Sequence, residues 1–322
     1  MPLPDAAPTA GQPHGWPAAL LARASTRTLA RGYHAGVLVD SHVHLQPHGE
    51  APPMDRARLE AYVDAARRNG VARIAVTEHL FRFREAYELL YGWWDDDPDP
   101  ALAAAARAYR DDHVNARVAD YVRLIEQAKR DGLPVLLGLE LDWIPGREDA
   151  LRRFLAPYDW DIIVGSVHWI GAWGIDITPD DGVWGARDVD ETHAAYVRLL
   201  SDIARSGLCH VLGHPDLPKI FGHRPRSWEP LRRGILDAAV AGGVALEVNA
   251  NGLRKPVGEP YPAGPVLEEA ARRGVPITLA SDAHRPEDVG HHFAEIVAHA
   301  RRAGYTTFVE FSGGRPRPSP LA

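Results

Sequence analysis

Sulfur is nearly missing from this chain: Cys209 is the one cysteine, and there are 2 methionines. A lone thiol excludes an intrachain disulfide framework and any Cys-rich zinc or iron–sulfur site, which makes a reducing, cytoplasmic setting the default expectation. No apolar run approaches the ~18 residues that a membrane span requires. The opening MPLPDAAPTAGQPHGWPAALL also lacks the basic start and continuous apolar block of an export signal. An excess of positive charge is absent too. With 36 Lys and Arg against 43 Asp and Glu, the formal net charge is −7, so neither a nucleic-acid partner nor a membrane partner is expected. A small-molecule substrate remains, and the oligomeric state is left open.

What is present is a chain of 322 residues, 45% hydrophobic and 25% charged, enough to enclose one large core. Residues 1–36 are rich in Ala, Pro and Gly and read as a poorly ordered extension. A catalytic domain is expected over residues 37–312. The tail at 313–322, GGRPRPSPLA, is expected to be disordered.

Between those ends, short β-branched runs alternate with segments of helical spacing, the pattern of parallel strands joined by helices. The strands are predicted at Val37–Asp40, Ala72–Thr77, Val135–Glu140, Asp161–Val167, Cys209–Gly213, Val244–Asn249 and Pro276–Ser281. Helices are predicted at Asp55–Asn69, Asp112–Asp131, Asp188–Ser206, Trp228–Ala241 and Gly264–Arg273. Tyr305–Phe311 fits an eighth strand or a closing hairpin. The aromatic and acidic run Tyr91–Pro100 reads as a loop over the barrel, in the position of a lid.

The chemistry lies where the strands end. The first runs into His42 and His44, the second into Glu78 and His79, the third ends at Glu140 and the fourth reaches His168. The fifth delivers His214, the sixth Asn249, and the seventh Asp282 and His284. In a β/α barrel these ends converge on one face, where the active site of that architecture sits. Side chains two apart on an extended chain point the same way, so His42 and His44 can grip one ion. Taken singly, an HxH pair is more often a hydrogen-bonded or exposed pair than a metal site. Repetition at successive strand ends is what turns the reading towards metal. Imidazole and carboxylate without thiolate suit Zn, Mn or Fe, and so many groups imply two or three divalent ions with Glu140 bridging. His14, His34, His113, His193, His291, His292 and His299 fall elsewhere and are read as structural.

In order, DSHVHL, TEHL, GLELDW, GSVHW, GHPDL, LEVNANGLRKP and SDAH resemble the motifs of the polymerase-and-histidinol-phosphatase (PHP) superfamily, and in particular its stand-alone histidinol-phosphate phosphatases. The resemblance runs over residues 37–290. It implies an α/β fold, a distorted TIM-like (β/α)7 barrel with three metals. It assigns His42, His44, Glu140 and Asp282 to one metal, Glu140, His168 and His214 to a second, and His79 and His284 to a third. The remaining ligand of the third is normally a His further past the HxH pair than any in this chain. His48 is the nearest, with Glu50 as a substitute.

The same resemblance implies hydrolysis of L-histidinol phosphate in histidine biosynthesis, with Asp282, His284 and Arg254 catalytic. Arg254, Lys219, Asn249 and Trp169 would bind the small phosphorylated substrate. Arg254 ranks first for phosphate because its planar fork matches phosphate oxygens. Other readings are a phosphatase for a sugar phosphate, nucleotide or phosphotyrosine, an amidohydrolase-like metallohydrolase, and a non-catalytic or polymerase-accessory barrel. Glu140 stands where such amidohydrolases commonly place a modified lysine, which favours phosphate chemistry. A complete ligand set on a self-contained chain argues against the non-catalytic reading.

Overall fold

The computed structural model describes residues 38–177 and 182–321. The extension read at residues 1–36 therefore lies outside the described residues. Parallel strands β1 (Leu38–Val43), β2 (Val71–Val76), β3 (Val135–Asp142) and β4 (Ile162–Ser166) come first along the chain. A short antiparallel hairpin follows, β5 (Trp169–Ile170) with β6 (Trp173–Gly174). Then come β7 (Val211–Leu212), β8 (Ala245–Asn249) and β9 (Ile277–Ala280). One 7-stranded sheet takes the order β1-β2-β3-β4-β7-β8-β9, with every pairing parallel.

Sequential parallel strands need a crossover after each, and helices supply it, so the sheet curls into a barrel covered on its outside. This is why the strands read as continuous apolar runs rather than alternating ones: all eight residues of β3, VLLGLELD, are buried. Close strand approach also fixes Gly138. A Cβ there would stand 2.6 Å from Thr77 Cγ2 and 2.9 Å from the Val76 carbonyl oxygen. No helix among the described residues is long and apolar enough to cross a membrane.

The barrel closes where its first and last strands meet. The Asp282 N–H donates to the His42 carbonyl at 3.0 Å, and the His44 N–H to the Ala283 carbonyl at 2.7 Å. Buried Asp40 joins the same edges, accepting from the Ser281 N–H at 2.9 Å and from the Gly290 N–H at 3.0 Å.

Two expectations change, and an open one, strand or hairpin at Tyr305–Phe311, is decided. The single helix at Asp112–Asp131 is the second of two, Pro100–His113 and Val118–Arg130. Asp99 starts the first, its side chain accepting from the Ala101 and Leu102 N–H groups ahead of a proline in the first turn. Tyr305–Phe311 belongs to a closing hairpin, β10 (Thr307–Ser312) with β11 (Arg315–Pro320), and not to an eighth barrel strand. The tail expected to be disordered is therefore paired through Pro320, and Leu321 is buried. Its prolines recur at every second position, opposite Phe311, Val309 and Thr307. A proline costs an edge strand nothing where its missing N–H would face outward, so period-two spacing suits pairing.

Candidate metal centre

Strand ends bring the predicted ligands together on one face of the barrel, with Glu140 in the middle. Its Oε1 lies 3.5 Å from His42 Nε2, 3.4 Å from His168 Nε2 and 3.0 Å from His214 Nε2. Its Oε2 lies 3.6 Å from His44 Nε2 and 2.5 Å from His79 Nδ1. His44 Nε2 is also 3.0 Å from His42 Nε2 and 3.4 Å from Asp282 Oδ1. His79 Nε2 is 3.2 Å from His284 Nε2.

Among the described residues, three overlapping groups can each surround an ion: His42, His44 and Glu140; Glu140, His168 and His214; His44, His79 and His284. His44 enters the third group, for which the sequence offered His48, or Glu50 in its place, beside His79 and His284. His48 stays on the rim, exposed, its ring stacked on His284 at 4.5 Å and its Nδ1 3.3 Å from the Tyr109 hydroxyl. Glu50, the substitute, points away and pairs with Arg285 at 2.5 Å.

The donor set fits divalent cations. Glu140 Oε2 and His79 Nδ1 face each other at 2.5 Å, and His44 Nδ1 stands 3.7 Å from Glu78, yet all three buried atoms lack a well-oriented hydrogen bond, a costly state for buried polar atoms. Imidazole and carboxylate lone pairs converging at these separations are what a shared cation satisfies. Outside them stands a ring of carboxylates. His42 Nδ1 is 2.8 Å from Glu247 Oε1, and His168 Nδ1 is 2.7 Å from Asp142 Oδ1. Holding the proton on Nδ1 aims the Nε2 lone pair inward. Glu78 lies 3.7 Å from His44 Nδ1 and is itself pinned by Arg82 at 3.1 Å and the Leu45 N–H at 3.0 Å.

Electrostatics divide the cluster. Burial pulls the His42 and His168 pKa values down, but the surrounding carboxylates win and hold both well above the usual imidazole range. Burial likewise raises the Glu140 and Asp282 pKa values, and the facing histidines more than reverse it. His79 and His284 are pushed well down by burial and by the charge of His44.

Two candidate ligands sit in the left-handed backbone region that L-residues rarely adopt, His214 at φ 25 and Asp282 at φ 54. Such strain persists only where the surroundings over-determine it. The His214 N–H donates to Glu247 Oε2 at 2.8 Å, and its carbonyl accepts from the Tyr196 hydroxyl at 3.0 Å. Asp282 Oδ2 accepts from the amides of Asn251 at 3.0 Å and Asn249 at 3.3 Å.

The four residues read as substrate-binding part ways. Arg254 stands against the Asp282 turn, donating to the Ser281 carbonyl at 2.8 Å, while its buried Nη1 has no partner. Trp169 walls the site, edge-on to Tyr109 at 5.4 Å. Asn249 is fully buried and its amide is spent on Glu247 at 2.9 Å and on Asp282, so it positions those acids. Lys219 is not a free cation. It is fully buried, with Asp216 Oδ2 and Glu259 Oε1 each at 3.0 Å and the Pro260 carbonyl at 2.7 Å, which uses all three donors of an ammonium.

Sequence reasoning passed over Glu247 and Asp142 as partners of the ligands. Their signal was the same period of two that picked out His42 and His44: Glu140 with Asp142, and Glu247 with Asn249, share a strand face.

The PHP domain family matches residues 42–251. The chain is 36% identical to a probable histidinol-phosphatase of Deinococcus radiodurans, over 84% of this chain and 95% of that one. It is 27% identical to the histidinol-phosphatase of Bacillus subtilis, over 79% and 96% of the two chains. Among solved structures, a histidinol phosphate phosphatase from Lactococcus lactis, complexed with zinc, L-histidinol and phosphate, superposes with a TM-score of 0.64 at 21% identity. That likeness covers 87% of this chain and 98% of that one, and it is a likeness of fold. The ligand-bearing barrel and these relatives together place the chain: it belongs to the PHP domain family.

Proposed function

We propose that the protein is a metal-dependent phosphomonoesterase that hydrolyses L-histidinol phosphate to L-histidinol and phosphate. The observation that carries the chemistry is Glu140, whose two oxygens face His42, His44, His79, His168 and His214 within 3.6 Å. His42, His44 and Glu140, with Asp282 beside them, would hold one divalent ion, Glu140, His168 and His214 a second, and His44, His79 and His284 a third. Zn, Mn and Fe suit these donors. Bound there, the ions supply Lewis acidity towards the phosphoryl oxygens and make water acidic enough to react at neutral pH.

The chain's own residues then act around that cluster. Arg254, held against the Asp282 turn with its Nη1 unpartnered and Asp288 3.7 Å from its Nε, would neutralise a phosphate oxygen. Asp282 or His284, at the mouth of the site, handles the proton that the leaving alkoxide takes up. Asn249 and Asn251 hold Asp282 in its strained turn. Trp169 closes one wall and keeps water from the reacting end. The choice of histidinol phosphate rests on the curated relatives and on their near-complete coverage by this chain.

The test is a panel of phosphate monoesters offered to the metal-loaded protein, including sugar phosphates, nucleotides and phosphotyrosine. Histidinol phosphate should give the highest kcat/KM. A higher value for another ester would reassign the substrate, and no release of phosphate from any ester would remove the phosphatase reading altogether.

A further inference from the structure

An open cavity of about 420 Å³ lies between the segment that leaves β1, Gln46 to Met54, and the segments around Arg84 and Asn115. That volume is in the range of small-molecule sites, and none of the candidate metal ligands lines it. Its lining holds donors that the fold leaves unused. Arg84 and Arg117 are both there, and among the described residues the Arg84 guanidinium makes no hydrogen bond or ion pair. Only its backbone N–H is engaged, on the Ala116 carbonyl at 3.0 Å. Arg117 Nη1 stands 3.9 Å from Glu85 Oε1.

Unused acceptors line the same cavity. Gln46 is 4% exposed, and with its Nε2 spent on the Pro52 carbonyl at 2.8 Å its Oε1 is left without a partner. Asn115 Oδ1 is likewise buried and unpartnered. Asp120, also in the lining, already has Arg123 at 2.6 Å. A simple anion would meet Arg84 but set its charge against two amide oxygens, and a simple cation would face two guanidinium groups. A zwitterion answers both, with a carboxylate for the planar fork of Arg84 and an ammonium for the oxygens of Gln46 and Asn115. Pro52, Pro53 and Met54 add apolar surface for a side chain.

One buried residue joins this cavity to the metal centre. Arg82, 1% exposed, donates through Nη2 to the Gln46 carbonyl at 3.2 Å and to the Pro47 carbonyl at 2.9 Å. Its own carbonyl accepts from the Asn115 N–H at 3.1 Å and the Ala116 N–H at 3.0 Å. Its Nε holds Glu78, the acid that faces His44.

We infer that this cavity is a binding site for a free α-amino acid, separate from the substrate site, whose occupancy steadies Arg82 and through it the Glu78–His44 side of the centre. The binding claim stands apart from the phosphatase reading above, and the effect on turnover rests on it.

The experiment titrates each of the twenty L-amino acids into the metal-loaded protein by calorimetry. At least one should bind one to one. Its methyl ester, which lacks the carboxylate, and its N-acetyl form, which lacks the ammonium, should each bind at least ~10-fold more weakly, the loss expected when a hydrogen bond to a charged group is removed. Arg84→Gln should weaken binding by a similar factor and leave kcat/KM in the absence of amino acid at the wild-type value, and Asn115→Ala should weaken binding as well. An amino acid seated at the metal centre, or drawing metal off the protein, would give the same heat in wild type and Arg84→Gln. That result, or binding by none of the twenty, would overturn the inference. On the ester that wild type cleaves best, a saturating amino acid should raise kcat/KM by ~5-fold or more, and the same concentration should leave Arg84→Gln unmoved. Binding that leaves wild-type kcat/KM unchanged would overturn the link through Arg82. If no ester is cleaved, the phosphatase reading fails by itself and the titrations still decide the site.

Discussion

His168 gives its Nδ1 to Asp142 across 2.7 Å and turns its Nε2 towards Glu140. The acid selects the tautomer and fixes the ring plane, so the inward nitrogen is pre-aimed before any ion arrives. Asp142→Ala should lower affinity for the metal that His168 would help to hold by ~10–100-fold, the usual effect of losing such a partner. Competition against a chelator of known affinity measures it. Equal affinities for variant and wild type would mean that Asp142 has no orienting role.

In the metal-free protein His42 and His168 are held well above the usual imidazole range by their carboxylate neighbours. Both are therefore protonated near neutral pH, and an incoming cation must displace those protons. The sign follows: apparent metal affinity rises with pH through the neutral range and falls as the solution is acidified. Adding metal to chelator-stripped protein in weak buffer should release protons and restore turnover. Metal uptake with no proton release would contradict the charge states given to these two histidines.

Lys219 makes the opposite kind of prediction to the one its sequence position suggested. Fully buried between Asp216 and Glu259, it holds together the loop after His214 and the loop before Tyr261. Lys219→Met leaves Asp216 buried and uncompensated, and should cost about 3–5 kcal/mol of stability. Urea unfolding of the metal-loaded protein would register it. A variant of native stability with a raised KM for phosphate esters would return Lys219 to the substrate.

Cys209 is packed against the Cα of Gly165, so closely that a Cβ on that glycine would lie 2.8 Å from Sγ. Burial pushes its thiol up to about 12. A thiol in that state reacts only as its rare thiolate, and only when uncovered. Disulfide and alkylating reagents at mildly alkaline pH should label the protein after denaturation and leave the folded enzyme active and unlabelled. Rapid labelling of the native state would mean that the segment leading into β7 opens locally.

Much of this site was written in the sequence because its ligands obey a simple geometry. Imidazoles and acids at successive strand ends must meet if the strands form a barrel, and His42, Glu140, His214 and Asp282 do meet. Asp142 and Glu247 were equally available by their spacing, yet a lone acid in a strand carries no mark of the histidine it will face. The error at Lys219 has a different source. Its partner Glu259 lies on a distant segment, and only the fold shows that the cation is already neutralised. The tail failed on composition: a run of Arg, Pro and Ser suggests disorder, whereas pairing depends on which positions keep their N–H.

The seam between β1 and β9 ties residues 241 positions apart, Asp40 to Ser281. Ordering so long an intervening stretch carries a loop-closure penalty that is settled only when both edges exist. A nascent chain that has emerged only as far as Leu279 already holds most of its imidazoles but cannot gather them into a hoop. Catalytic competence therefore arrives abruptly, with the final barrel strand, and any ion captured at that moment becomes the latch on the ring.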